Sequence, residues 1–209
     1  MYLDGSIKQY LDDSASGKAA PGGGSVSALG GALGAAMASM ASNFTIGKKK
    51  FADVEDKVKE ILALCEEKRM KLLELMDADV SEYSKVTSAY GMPRDTDEQK
   101  SARTAAIQEA LKAAMAVPLE AFRACNDVIM SLKNLVDIAN PNLVSDVGVA
   151  AMLCSAGLDG AKLNVEINLS FLKDEELVSK VREEVDSTSF LAKQVAAEVI
   201  EKVRQKING

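Results

Sequence analysis

From Ala19 to Gly47 the chain reads AAPGGGSVSALGGALGAAMASMASNFTIG without one charged side chain, and Lys48, Lys49 and Lys50 then follow together. An uncharged run of this length is a membrane span, a phosphate-cradling loop with its helix, or one wall of a packed interior. It is long enough to cross a bilayer. Its residues are mostly Gly, Ala and Ser, which gain little from entering lipid, and it reads as having no second hydrophobic segment for company. A close-packed core helix is therefore expected, and no membrane partner. Gly30, Gly34 and Ala38 recur every four residues, which favours close approach of another helix. PGGGS lacks the spacing and the preceding strand of a nucleotide loop. The three lysines read as a solvated end that complements a helix C-terminus.

The 209 residues suffice for one substantial domain. Aromatic residues make up only 4% and Trp is absent, so the core must come largely from Ala, Leu, Val and Met. A net charge of −6 gives no basic footprint for duplex nucleic acid. Cys65, Cys125 and Cys154 are far apart, form no Cys-x-x-Cys pair and have no His beside them. No metal site is expected from such a set. Each Cys sits among apolar neighbours, which suits buried thiols in a reducing cytoplasm. The first residues lack the basic-then-apolar order of a signal peptide.

No stretch alternates cleanly between apolar and polar residues, so the expected fold is all-α, one helical bundle of about six helices over residues 1–209. A short helix is read near Ser6–Ser14. PGGGSV opens a second, running to about Phe44, with Ser25 available as its cap. The third, from about Asp53 to Ala89, carries the stripe Val54, Val58, Ile61, Cys65, Leu72, Leu75, Met76, Tyr83, Val86, Tyr90. GMPRDTDEQ breaks it, and Thr96 with Gln99 forms a capping box for a fourth helix reaching about Ala139, kinked at Pro118. NPNLVSD leads into a fifth helix ending near Leu169. A sixth starts near Asp174 and runs to the end.

Polar residues where packing calls for apolar ones are the informative positions. Asp79 interrupts the stripe of the third helix, where an ionised carboxylate is costly unless paired. A capped or ion-paired structural role and a functional role both fit it. Asn142 and Asp146, four apart, are read on one helical face, continued by small residues and then by Asn164 and Asn168. In an unbroken helix Asp146 and Asn164 lie about 27 Å apart at a rise of ~1.5 Å per residue. They then cannot serve one small site within one subunit.

Taken in order, PGGGSVSALGGALGAAMASMASNFTIGKKKF, DADVSEYSKV, RTAAIQEALKAAMAVPLEAF and NPNLVSDVGVAAMLCSAGLDGAKLNVEIN resemble the cyclodeaminase/cyclohydrolase family of folate enzymes. The resemblance spans nearly the whole chain. It implies an all-α homodimer with the folate site near the subunit interface and no cofactor beyond the folate substrate. The Gly-rich motif falls on Pro21, Gly22, Gly23, Gly24 and Ser25, and the basic motif on Gly47 to Lys50. The acidic motif falls on Asp79, and the fifth-helix motif on Asn140, Asn142, Ser145 and Asp146, with its far end at Asn164 and Asn168. Ala139 stands where the family usually has Gly, and Pro141 separates the two asparagines.

The resemblance implies chemistry at the carbon between N5 and N10 of tetrahydrofolate, which needs a proton shuttle. With no His, Asp146 and then Asp79 are the catalytic candidates. Gly22, Gly23, Gly24, Ser25, Lys48, Lys49, Lys50, Asn142, Ser145, Asn164 and Asn168 are the candidates for holding substrate, the lysines suiting a polyglutamate tail or a direct role in proton transfer. The chain has no formiminotransferase half, which inclines the expectation toward a methenyltetrahydrofolate cyclohydrolase over a formiminotetrahydrofolate cyclodeaminase. A non-catalytic helical folate-binding or assembly protein is the reading from a different class.

Overall fold

Glycine, proline and side-chain caps mark several of the helix boundaries in this chain. The computed structural model describes residues 2–209. Six α-helices and no strand occur among the described residues: α1 Ile7–Ser14, α2 Gly23–Asn43, α3 Glu55–Tyr90, α4 Asp97–Ile138, α5 Val144–Leu169 and α6 Glu175–Asn208. Short 3-10 turns occupy Lys49–Val54 and Pro141–Leu143. Both halves of the capping box before α4 are present: Gln99 N–H donates to Thr96 Oγ1 at 3.3 Å, and Gln99 Oε1 accepts from Thr96 N–H at 3.2 Å. Before α2 the cap is Gly22, and Ser25 is the third helical residue, which corrects its reading as a cap. α4 continues unbroken through Pro118.

α2 lies at the centre, packed by α3, α4 and α5, while α6 lies against α4 and α5. Ala28, Ala35, Ala38 and Ala41 of α2 are fully buried, in one core with Leu72, Phe122, Ile129 and Leu132 from α3 and α4. Small side chains on α2 let larger ones close in on it. The tightest seam is with α5. A β-carbon on Gly157 would lie 2.9 Å from the Gly31 nitrogen, and one on Gly34 would lie 2.5 Å from Cys154 Sγ. Gly30 has ordinary room, so close approach runs through Gly31 and Gly34 rather than through the expected Gly30, Gly34, Ala38 series. Gly31 also faces Cys125 Sγ. All three thiols are buried and unpaired, and burial pushes Cys65 up to about 11 and Cys125 up to about 12.

α2 and α5 run antiparallel. Asn140 N–H donates to Thr45 Oγ1 at 2.8 Å, tying the end of α2 to the start of α5, while Gly23 lies beside Asn164 at the opposite end. Both helices are apolar on nearly every side, and Pro141–Leu169 as well as Gly23–Asn43 is long and apolar enough to span a membrane. The uncharged run is thus not the lone hydrophobic segment it was read to be. Their inner faces are buried in the bundle. Their outer faces leave Val26, Leu33 and Met40 exposed on α2, with Phe44 just past its end, and Val149, Met152, Leu163 and Ile167 exposed on α5.

Candidate functional site

A cavity of about 560 Å³ opens where α2 begins and α5 ends. Its floor is the Gly22–Gly24 turn, and its walls come from α3, α4 and the end of α5. The stripe of α3 changes partners along its length. Val58, Ile61, Cys65, Leu72, Leu75 and Met76 enter the core, whereas Asp79, Tyr83, Val86 and Tyr90 line the cavity. Asp79 is the residue at which that face leaves the packed interior. Tyr83 and Tyr90 are about half exposed, as is Phe171 across the cavity, so aromatic surface is presented to a ligand rather than to the core. Ala114 of α4 also lines the cavity, and Pro118 removes the amide that would otherwise bond its carbonyl.

Asp79 is held from one side. Its Oδ2 accepts from Ser25 N–H at 3.0 Å, one of the amides a helix start leaves without a helical partner. A β-carbon on Gly24 would sit 2.1 Å from Asp79 Oδ1, so only glycine lets the first turn of α2 lie against the carboxylate. Burial raises the Asp79 pKa above the ordinary carboxylate value, and the Ser25 amide opposes that shift. The group is a carboxyl with one hydrogen bond, an open cavity beside it and a strengthened affinity for protons.

Asn164 and Asn168 stand on the α5 wall. Each carboxamide donates to a carbonyl one turn back, Asn164 Nδ2 to Gly160 O and Asn168 Nδ2 to Asn164 O, both at 2.8 Å. This fixes the two side chains and leaves their Oδ1 atoms as acceptors. Ser25 contributes through its backbone. Its side chain is fully buried and pairs with the Tyr10 hydroxyl at 2.9 Å.

The remaining sequence candidates gather at the other end of the bundle. Asn142 lies in the 3-10 turn before α5, so it and Asp146 do not share one continuous α-helical face as expected. Asn142 N–H donates to Asn140 Oδ1 at 3.1 Å. Ser145 is exposed and Asp146 is partly buried in the first turn of α5. α5 is unbroken, which leaves Asp146 about 27 Å from Asn164 along the helix at ~1.5 Å per residue. Gly47 adopts φ +74°, a left-handed turn that suits glycine, and presents Lys48, Lys49 and Lys50 to solvent. None of the three forms an ion pair among the described residues. The structure brings together Gly22–Gly24, Asp79, Asn164 and Asn168. Within one subunit it does not bring Asp146, Asn142, Ser145 or the lysines to them.

Tyr83, Tyr90 and Phe171 line the cavity and were missed as site residues. Their common signal was an aromatic side chain in a chain very poor in them.

The chain belongs to the formiminotransferase-cyclodeaminase family, whose model matches residues 6–187. It is 40% identical over 203 residues to a methenyltetrahydrofolate cyclohydrolase of Methylorubrum extorquens, covering 97% of this chain and 98% of that one. It is 34% identical to the formimidoyltransferase-cyclodeaminase of Rattus norvegicus over 95% of its length, spanning 37% of that longer protein. The crystal structure of formiminotetrahydrofolate cyclodeaminase from Thermotoga maritima superposes with a TM-score of 0.81 at 32% identity, covering 100% of this chain and 98% of that one.

Proposed function

We propose that this protein is a folate one-carbon enzyme acting at the carbon between N5 and N10 of tetrahydrofolate, and that it hydrolyses 5,10-methenyltetrahydrofolate to 10-formyltetrahydrofolate. The observation that carries the reading is Asp79: a proton-seeking carboxyl on the wall of an aromatic cavity, with one oxygen held by Ser25 N–H. Identity to the Methylorubrum cyclohydrolase over nearly both chains supports the hydrolytic direction.

Asp79 accepts a proton as water adds to the methenyl carbon, forming a neutral carbinol bonded to N5 and N10. The N5–carbon bond then breaks. N5 takes the proton back from Asp79, and the hydroxyl proton leaves to solvent as the formyl C=O forms on N10. The ionised carboxylate also favours the cationic methenyl substrate over bulk water. Tyr83, Tyr90 and Phe171 offer faces for a planar ring, and the Asn164 and Asn168 oxygens offer acceptors for its N–H groups.

The same carboxyl suits cyclodeamination, with N10 attacking a formimino carbon and ammonia leaving, and the likeness to the Thermotoga cyclodeaminase favours that second reading. Incubation with each substrate decides. Loss of the methenyl near-ultraviolet absorbance with formation of 10-formyltetrahydrofolate is the expected result. Ammonia release from formiminotetrahydrofolate without hydrolysis would move the assignment to the cyclodeaminase, and binding without turnover of either would make the protein a folate carrier.

The working unit in this proposal is a homodimer in the cytoplasm. Two clusters lie at opposite ends of the α2/α5 pair, and exposed apolar residues lie along both helices between them. A two-fold axis across the middle of that face sets antiparallel copies together. Asp146, Asn142, Ser145 and Lys48–Lys50 of one copy then approach the cavity of the other. The lysines there would meet the carboxylates of a polyglutamate tail.

A further inference from the structure

We propose that Tyr10 is a positioning residue for Asp79, acting through Ser25; this rests on Asp79 being the proton acceptor proposed above. α1 is exposed along most of its length, yet Tyr10 within it is 5% exposed. Its ring meets Tyr2 edge-on at 5.2 Å between centroids. Its hydroxyl pairs with Ser25 Oγ at 2.9 Å in a fully buried contact. Ser25 in turn donates its amide to Asp79 Oδ2 at 3.0 Å. A chain of two hydrogen bonds thus runs from a satellite helix through the first turn of α2 to the carboxylate.

The arrangement fixes Ser25 from two directions. The helix holds its carbonyl, the Tyr10 hydroxyl holds its side chain, and the amide is left aimed at Asp79. Because Gly24 lies against the other carboxylate oxygen, a small rotation of this turn alters both contacts at once. Burial raises the Tyr10 pKa, the hydrogen bond to Ser25 opposes it, and the Asp79 charge raises it further. The hydroxyl therefore stays protonated at neutral pH and lies within electrostatic reach of the carboxylate. Tyr10 touches neither the cavity nor substrate. Its influence is on where Asp79 sits and how tightly it holds a proton.

Tyr10→Phe removes one oxygen and keeps the ring. Loosening Ser25 weakens the amide bond that lowers the Asp79 pKa, so the carboxyl should titrate at higher pH in the variant. Carbon NMR of labelled Asp79 reads this without any turnover. The acid limb of kcat/KM should move upward in step, with kcat down about 10-fold from a slightly misplaced base and KM little changed. Ser25→Ala removes the same side-chain bond and should reproduce both shifts, and the double variant should be no worse than either single one. An unshifted Asp79 titration in folded Tyr10→Phe and Ser25→Ala overturns the inference, whatever happens to melting temperature. If the titration shifts while Asp79→Asn retains full turnover, the coupling stands and the catalytic reading of Asp79 falls instead. Should Tyr10→Phe fail to fold, Ser25→Ala alone carries the test.

Discussion

The two ends of the α2/α5 pair are built from the same kinds of residue and do opposite things with them. At one end glycine brings backbone against a carboxylate, aromatic rings face a cavity, and Asp79 is buried enough to hold its proton more tightly. At the other, Gly47 turns the chain so that three lysines stand in water, and Asn140 secures the turn before Asp146. Reacting groups need a place that alters their chemistry. Groups that attract a charged tail need reach and hydration instead. In the proposed dimer one end is a workplace and the other a handhold, each completed by the partner copy.

The sharpest way to break this contrast is to neutralise the carboxylate at each end. Asp79→Asn should lower turnover by ~10²–10⁴-fold, the usual worth of a positioned proton acceptor. Asp146→Asn should cost less, because within one subunit that residue lies at the far end of α5 from the cavity. Steady-state kinetics showing the reverse order would move the base to the lysine end. Next in size is the joint between copies in the proposed dimer. Met152→Glu places a charge in the middle of the exposed apolar face and should weaken self-association by roughly 10²-fold or more. Turnover should fall along with the dimer fraction seen in sedimentation. A fully active monomer would sink the shared site.

Neutralising Lys48, Lys49 and Lys50 together should raise KM for a polyglutamylated substrate by about 10-fold, and for the monoglutamate much less. The difference should shrink with added salt, since exposed charges are screened beyond about a Debye length. Equal KM changes at all salt concentrations would remove the handhold.

The smallest effect concerns stability. A carboxyl whose pKa is raised by folding contributes stability that is present below its ordinary value of 3.8 and is lost as pH rises through the raised value. Asp79→Asn should therefore melt at or above the wild type near neutral pH, with its advantage disappearing in acid. Thermal melts across pH check this, and an Asn variant much less stable at neutral pH would make Asp79 a structural residue.

The sequence made the helix boundaries legible because they rest on local chemistry: PGGG, the Thr96–Gln99 box and Asn140–Pro141 each act within one turn. Asp79 was legible too, as a carboxylate on an apolar face. Spacing could not reveal that the same face stops being core at Asp79. Tyr83 and Tyr90 continue the period without a mark, and only the distance to α4 and α5 decides whether they meet packing or space. Asn142 and Asp146 misled for a related reason. A spacing of four means one face only within a single helix, and α5 starts between them, at Val144. Tyr10 was invisible because its partner Ser25 lies on another helix.

The close seam along α2 has a further consequence in the thiols it shelters. Cys125 faces Gly31 and Cys154 faces Gly34, where the backbones leave no gap for a reagent. Their thiolates are scarce at neutral pH, Cys125 being pushed up to about 12. Alkylating agents that need a thiolate should leave these two cysteines unmodified in the folded protein. Any labelling must then wait for the bundle to come apart, so the rate of thiol modification becomes a clock for its opening.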